Sequence, residues 1–180
     1  YSGGGHMAFR VALEDPGLAS AIAVFGASLP MPEESACAPV DGAVSTLLVN
    51  GTADLVSPYR GGDVVTPTGR FLGAVRSSRE TLAYFERRAE AFPREMRAGE
   101  RRAPETRLVT IEGGGHAIPG RASRFPRIVG SVPRSWEGIE AAVAFFEHGT
   151  AALRGPCSGR PSRSLRPAVG SEAPRPESGS

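Results

Sequence analysis

Three short apolar runs limit the folds open to this chain more than any other feature: Ala21–Phe25, Ser45–Asn50 and Arg107–Glu112. Each is close to continuous rather than alternating, the pattern of a strand covered on both faces in a parallel sheet. They stop at Gly26, at Asn50-Gly51 and at Gly113-Gly114-Gly115, so each strand delivers the chain straight into a loop.

The intervening segments read as helices and loops. Gly3-Gly4-Gly5 forms a turn that opens a helix over His6–Leu13, and Asp15-Pro16-Gly17 ends it. Residues Ala27 to Ala43, with three Pro and no clear periodicity, read as a loop or small cap over one sheet end. Ser77-Ser78-Arg79-Glu80 matches a capping box, after which Leu82, Phe85, Ala89 and Phe92 share one helical face until Pro93. Trp136, Ile139, Val143 and Phe146 are expected to be the buried stripe of a last helix. Helix, strand, loop, strand, loop, helix, strand, loop, helix requires a mostly parallel sheet with right-handed crossovers and flanking helices, so the class is α/β.

Composition narrows the function. With 180 residues the chain has the length of one domain, and 40% hydrophobic with 22% charged residues is the balance of a globular protein. No stretch approaches the roughly 18 to 20 apolar residues needed to span a bilayer, so no membrane partner is expected. All 21 basic residues are Arg, and the segment 154–180 carries five of them with two Glu, which leaves 16 cations against 17 anions elsewhere. A nucleic-acid binder would instead concentrate cations on its folded face, so that class is set aside. In 154–180, 15 of 27 residues are Gly, Pro or Ser, and the segment is expected to be a disordered Pro/Ser/Arg-rich tail beside a folded unit over 1–153. The chain opens on Tyr without a signal-peptide pattern and is expected to be a fragment or processed piece. Cys37 and Cys157 alone do not indicate a disulfide framework.

Reactive groups in open α/β sheets gather just beyond the C-terminal strand ends. Asp54 follows the second strand and His116 the third, while Tyr1-Ser2-Gly3-Gly4 fits the last four residues of a G-x-S-x-G nucleophile turn. The order Ser, Asp, His is that of α/β-hydrolases. A serine hydroxyl is a poor nucleophile near neutral pH, so it needs an imidazole to take its proton and a carboxylate to orient that imidazole. Ser2, Asp54 and His116 are therefore the candidate catalytic residues, and the Gly3 N–H is the candidate oxyanion-hole donor.

The runs Tyr1–Ala8, Asn50–Gly62 and Ile111–Gly120 resemble the three motifs of polyhydroxybutyrate-depolymerase-type esterases, a group similar in turn to feruloyl and acetylxylan esterases. The resemblance covers residues 1 to 148. It implies the C-terminal half of an α/β-hydrolase fold, lacking the strands that precede the nucleophile. It also implies ester hydrolysis through an acyl-serine intermediate without metal or cofactor, a polyester oligomer or an aromatic or acetyl ester as substrate, and an extracellular or periplasmic setting. Three positions depart from the family pattern: Gly3 replaces a frequent Asn, Asn50 a frequent His, and Ile118 a frequent aromatic that would wall the substrate. Because the strand leading into Ser2 and a second oxyanion donor would lie upstream, the chain alone is expected to be inactive.

His6 is expected to be a surface or loop-packing histidine, and His148 a favourable charge near a helix C-terminus. Tyr59-Arg60-Gly61-Gly62 is expected to be a turn or a pocket lining. Two further readings remain open from sequence: a serine peptidase of the same fold, and a non-catalytic truncated α/β scaffold.

Overall fold

The computed structural model describes residues 1–91, 103–121, 123–124 and 129–148. In chain order these form α1 (Gly3–Glu14), β1 (Ala21–Phe25), a 3-10 turn (Pro32–Glu34), β2 (Ser45–Gly51), β3 (Gly62–Val65), β4 (Phe71–Val75), α2 (Ser78–Ala91), β5 (Thr106–Ile111) and α3 (Gly138–His148). Phe92, Pro93, Cys157 and the expected tail lie outside the described residues.

The three apolar runs are the strands of one parallel sheet in the order β1-β2-β5, with Ala21 opposite Ser45 and Thr46 opposite Thr106. Strand alternation sorts their side chains between two cores. Ile22, Val24 and Leu48 pack with Phe9 and Leu13 of α1 and Phe85 of α2. Leu47, Val49, Phe25, Val109 and Ile111 pack on the opposite face with Ala142 and Phe145 of α3. Leu47, Leu48 and Val24 are fully shielded from solvent, and burial on this scale contributes about 1.5–3 kcal/mol per side chain. The continuous apolar character of the strands thus reflects a sheet covered on both faces.

α1 starts at Gly3 itself, one turn earlier than the expected helix. A Cβ at Gly5 would lie 2.7 Å from Val24 Cγ1 and 3.0 Å from Ala27 Cβ, so the glycine lets the helix seat directly on β1. The capping box of α2 forms as expected. The Ser77 hydroxyl accepts from the Glu80 N–H at 3.1 Å, while Glu80 Oε2 accepts from the Ser77 N–H at 2.8 Å.

One expectation is corrected. The buried face of α3 is Gly138, Ala142 and Phe145, with Ile139, Val143 and Phe146 exposed and Trp136 only partly buried. Close approach decides this: a Cβ at Gly138 would lie 3.0 Å from both Phe25 Cε1 and the Pro119 carbonyl oxygen, so small residues seat the helix and one large ring fills the gap. Tyr59-Arg60-Gly61-Gly62 does make a turn, closed by the Gly61 N–H donating to the Pro58 carbonyl at 2.9 Å, and it leads directly into a strand. Gly62 opens an antiparallel hairpin of β3 and β4, with Gly62 opposite Val75 and Val65 opposite Phe71. Val56, Val64 and Val75 form its small core, and Val75 bridges to Pro30, which ties the hairpin to the 27–44 loop.

Candidate active site

Ser2 sits between the end of the sheet and the first turn of α1. Its backbone has φ 51° and ψ −122°, a positive φ that no other non-glycine residue shares among those described. Such a conformation costs about 1–3 kcal/mol and persists only where its surroundings hold it. Here the Ser2 N–H donates to the Phe25 carbonyl at 2.9 Å, and the Ser2 carbonyl accepts from Gly5 and His6 at 2.7 and 3.2 Å. As the first residue of α1, Gly3 has no intrahelical acceptor for its N–H.

Asp54 lies in the loop after β2 and is buried. One carboxylate oxygen, Oδ1, accepts from the N–H groups of Val56 and Ser57, both at 2.8 Å, which fixes the side chain on its own loop. The other, Oδ2, stands 2.8 Å from His116 Nδ1. The two loops are close because Gly51 is a glycine: a Cβ there would lie 2.1 Å from the Gly114 carbonyl oxygen. The Ala53 N–H donates to that same oxygen at 2.9 Å.

His116 is buried, and its Nε2 lies 2.9 Å from Ser2 Oγ. With Nδ1–H donated to Asp54, Nε2 is the acceptor for the serine hydroxyl. The imidazole is held on several sides. Its backbone N–H donates to Val129 O at 2.6 Å, and the Tyr1 hydroxyl donates to His116 O at 2.9 Å. The Tyr1 ring lies 5.0 Å from the imidazole, centroid to centroid. Beneath the ring is Gly26, where a Cβ would approach Nδ1 to 3.1 Å and Tyr1 Cε2 to 3.4 Å. Burial, and the Asp54 charge beside it, push the Tyr1 phenol up to about 12, so it stays a donor.

The three residues named from the sequence are therefore brought together in one continuous hydrogen-bond chain, Asp54 to His116 to Ser2, with Gly3 next to Ser2. This arrangement can draw the hydroxyl proton toward the imidazole while the carboxylate fixes the tautomer. Among the described residues no group of three or more His, Cys, Asp or Glu is placed to hold a metal ion, and no helix is long and apolar enough to cross a membrane.

A cleft of about 640 Å³ opens beside Ser2 and His116 and runs between α1 on one side and the 27–44 loop with the β3–β4 hairpin on the other. His6 lines it, half-buried with its ring edge-on to Phe9 at 6.3 Å, and burial lowers its imidazole below the usual value. His148 ends α3, exposed, 3.6 Å from Glu147. Tyr59 does not line this cleft, and its hydroxyl pairs with Thr110 Oγ1 at 2.7 Å. Ile118 packs against the α3-side core instead of walling the cleft. Asn50 is a buried structural tie, donating to Ala27 O at 3.1 Å and Ser78 Oγ at 2.8 Å. The sequence reading missed the hairpin wall, Tyr1 and Gly26. Val64-Val65 and Phe71-Leu72 around Pro67-Thr68-Gly69 did carry a hairpin signal.

No protein-family model matches the chain, and no solved structure does. The chain is 30% identical over 170 residues to a protein of Nocardia uniformis subsp. tsuyamanensis named "Putative esterase NocK". That alignment covers 81% of this chain and 49% of the relative, so the chain spans about half the length of the curated protein it is similar to.

Proposed function

We propose that the whole protein carrying this chain is a serine carboxylic-ester hydrolase of the α/β-hydrolase type, with Ser2 as nucleophile, His116 as general base and acid, Asp54 as its orienting carboxylate and Gly3 as an oxyanion donor. The observation that carries this reading is the unbroken Asp54–His116–Ser2 chain, at 2.8 and 2.9 Å, ending on a serine held at positive φ at the start of a helix.

In acylation the Ser2 hydroxyl proton passes to His116 Nε2 as Oγ bonds to the ester carbon. The tetrahedral oxyanion rests against the Gly3 N–H. His116 then returns the proton to the alcohol oxygen as the carbon–alcohol bond breaks. Water repeats the sequence: its proton goes to Nε2, its oxygen bonds to the acyl carbon, and the proton returns to Ser2 Oγ as the acid departs. No metal or cofactor enters this balance. The motif resemblance favours polyhydroxybutyrate-type oligomers or feruloyl and acetyl esters as substrates and an exported protein, and the 30% likeness to a protein named as an esterase supports hydrolysis of an ester.

The test is to treat the whole protein with a fluorophosphonate and map the adduct, alongside turnover of p-nitrophenyl acetate and of peptide anilides. Labelling at Ser2 with ester turnover is the expected result. Anilide cleavage without ester turnover would favour a peptidase, and a protein inert to all three would be a non-catalytic scaffold.

A further inference from the structure

The cleft beside Ser2 is too large and too apolar for an acetyl group alone. Its walls include Met7 and Leu13 of α1, Leu29 of the 27–44 loop, and Val64, Leu72 and Val75 of the hairpin. A volume of about 640 Å³ is in the range of sites that enclose most of a small organic molecule. At 1.5 Å per helical residue, Leu13 lies about 16 Å along α1 from Ser2, room for an extended chain of up to about twelve carbons.

Resting on the hydrolase reading above, we propose that this cleft binds the acyl arm of the ester and selects neutral, apolar acyl chains of medium length over acetyl. Direction follows from connectivity. The acyl carbon bonds to Ser2 Oγ with its oxygen toward the Gly3 N–H, and the cleft wall continues from those two residues along α1 to His6 and Met7. The alcohol oxygen takes its proton from His116 Nε2 and leaves on the imidazole side. Charge sets the neutrality. Glu34 stands in the wall beside Gly73, where it repels an anionic arm, and the Arg10 guanidinium is engaged by Glu14 at 2.8 Å.

Two substrate series on the whole protein test this: p-nitrophenyl acetate, butanoate, hexanoate and octanoate, and ethyl, butyl, hexyl and octyl acetates. Burying each added methylene should raise kcat/KM about two- to fourfold, giving at least about tenfold from butanoate to octanoate, while the alkyl acetates stay level. Leu72→Asp and Met7→Glu alter side chains that are 54% and 60% exposed, so folding should tolerate both. Each should lower the octanoate-to-acetate ratio of kcat/KM about fivefold or more. A flat or falling acyl series, a rise confined to the alkyl acetates, or a ratio unmoved in both variants would overturn the proposal while leaving the hydrolase reading intact. Failure of every ester together with no fluorophosphonate labelling would remove that reading, and this inference with it.

Discussion

The Ser2 N–H donates to the carbonyl oxygen of Phe25 at 2.9 Å, which ties the turn bearing the candidate nucleophile to the last residue of β1. The next residue, Gly26, lies under the His116 ring. One strand end therefore positions both partners of the proposed proton transfer, and the positive φ of Ser2 is held by the sheet on one side and by α1 on the other.

Removing any member of the hydrogen-bond chain should remove nearly all turnover. Ser2→Ala and His116→Ala are each expected to lower kcat by about three to six orders of magnitude, and Asp54→Asn somewhat less because Asp54 acts through the base. The double variant Ser2→Ala/His116→Ala should be no worse than either single one. Ester turnover measured beside circular dichroism checks this, and wild-type-like kcat in a folded single variant would remove that residue from the assignment.

Gly51 and Gly3 should respond to Ala in opposite ways. At Gly51 a methyl group meets the Gly114 carbonyl oxygen at 2.1 Å, and this is backbone that cannot rotate away. Gly51→Ala should destabilise by about 1–3 kcal/mol or more and separate the Asp54 loop from the His116 loop. At Gly3 nothing lies within 4 Å of a built Cβ, and Ala is the better helix former, so Gly3→Ala should leave stability unchanged or raise it by up to about 1 kcal/mol. Urea denaturation of both variants decides; equal midpoints would mean that the two loops do not approach as described.

His6 gives stability a pH dependence of definite sign. Burial lowers its folded-state value below that of the unfolded chain, so the unfolded state binds the proton more readily. The His6 contribution is thus intact above the unfolded value, about 6.5, and is lost as pH falls through it toward the lower folded value. The thermal midpoint should drop between pH 7.5 and 5.5, and His6→Gln should reduce the drop. A variant with an unaltered pH profile would show that His6 is not the group responsible.

The strands were the most legible part of the chain, because a sheet buried on both faces leaves unbroken apolar runs such as Thr46–Val49. The proximity of Ser2, Asp54 and His116 was legible for a related reason: strand ends fix where loops emerge, and glycine runs mark where those loops pass close to one another. The α3 face was misread because hydrophobicity alone favoured Ile139, Val143 and Phe146, whereas the close approach to Phe25 demanded Gly138 and Ala142. The hairpin was missed because β3 and β4 are four and five residues long, with a register shift between Asp63 and Val65 that breaks the alternation. The hold of Tyr1 and Gly26 on His116 is tertiary, spanning 115 residues for the Tyr1 hydroxyl, and leaves no local pattern.

Residues 1–180 expressed alone should react with a fluorophosphonate far more slowly than the whole protein, even though the Asp54–His116–Ser2 chain is complete within them. The reason lies in two supports that the proposed fold places before the nucleophile, a strand leading into Ser2 and a second oxyanion donor. Among the described residues β1 pairs only with β2, which leaves its other edge for such a strand. Phe25 and α1 hold Ser2 at φ 51°, and the added strand would fix the reacting oxygen further, where displacement by about 1 Å costs on the order of a hundredfold in rate. Gly3 supplies one proposed oxyanion donor, and a second is worth about another hundred- to thousandfold. The labelling rate at Ser2, measured on both proteins with circular dichroism to confirm folding, should differ by at least about a hundredfold. Equal rates would show that residues 1–180 are sufficient and that the turn at Ser2 is held entirely by Phe25, α1 and Tyr1.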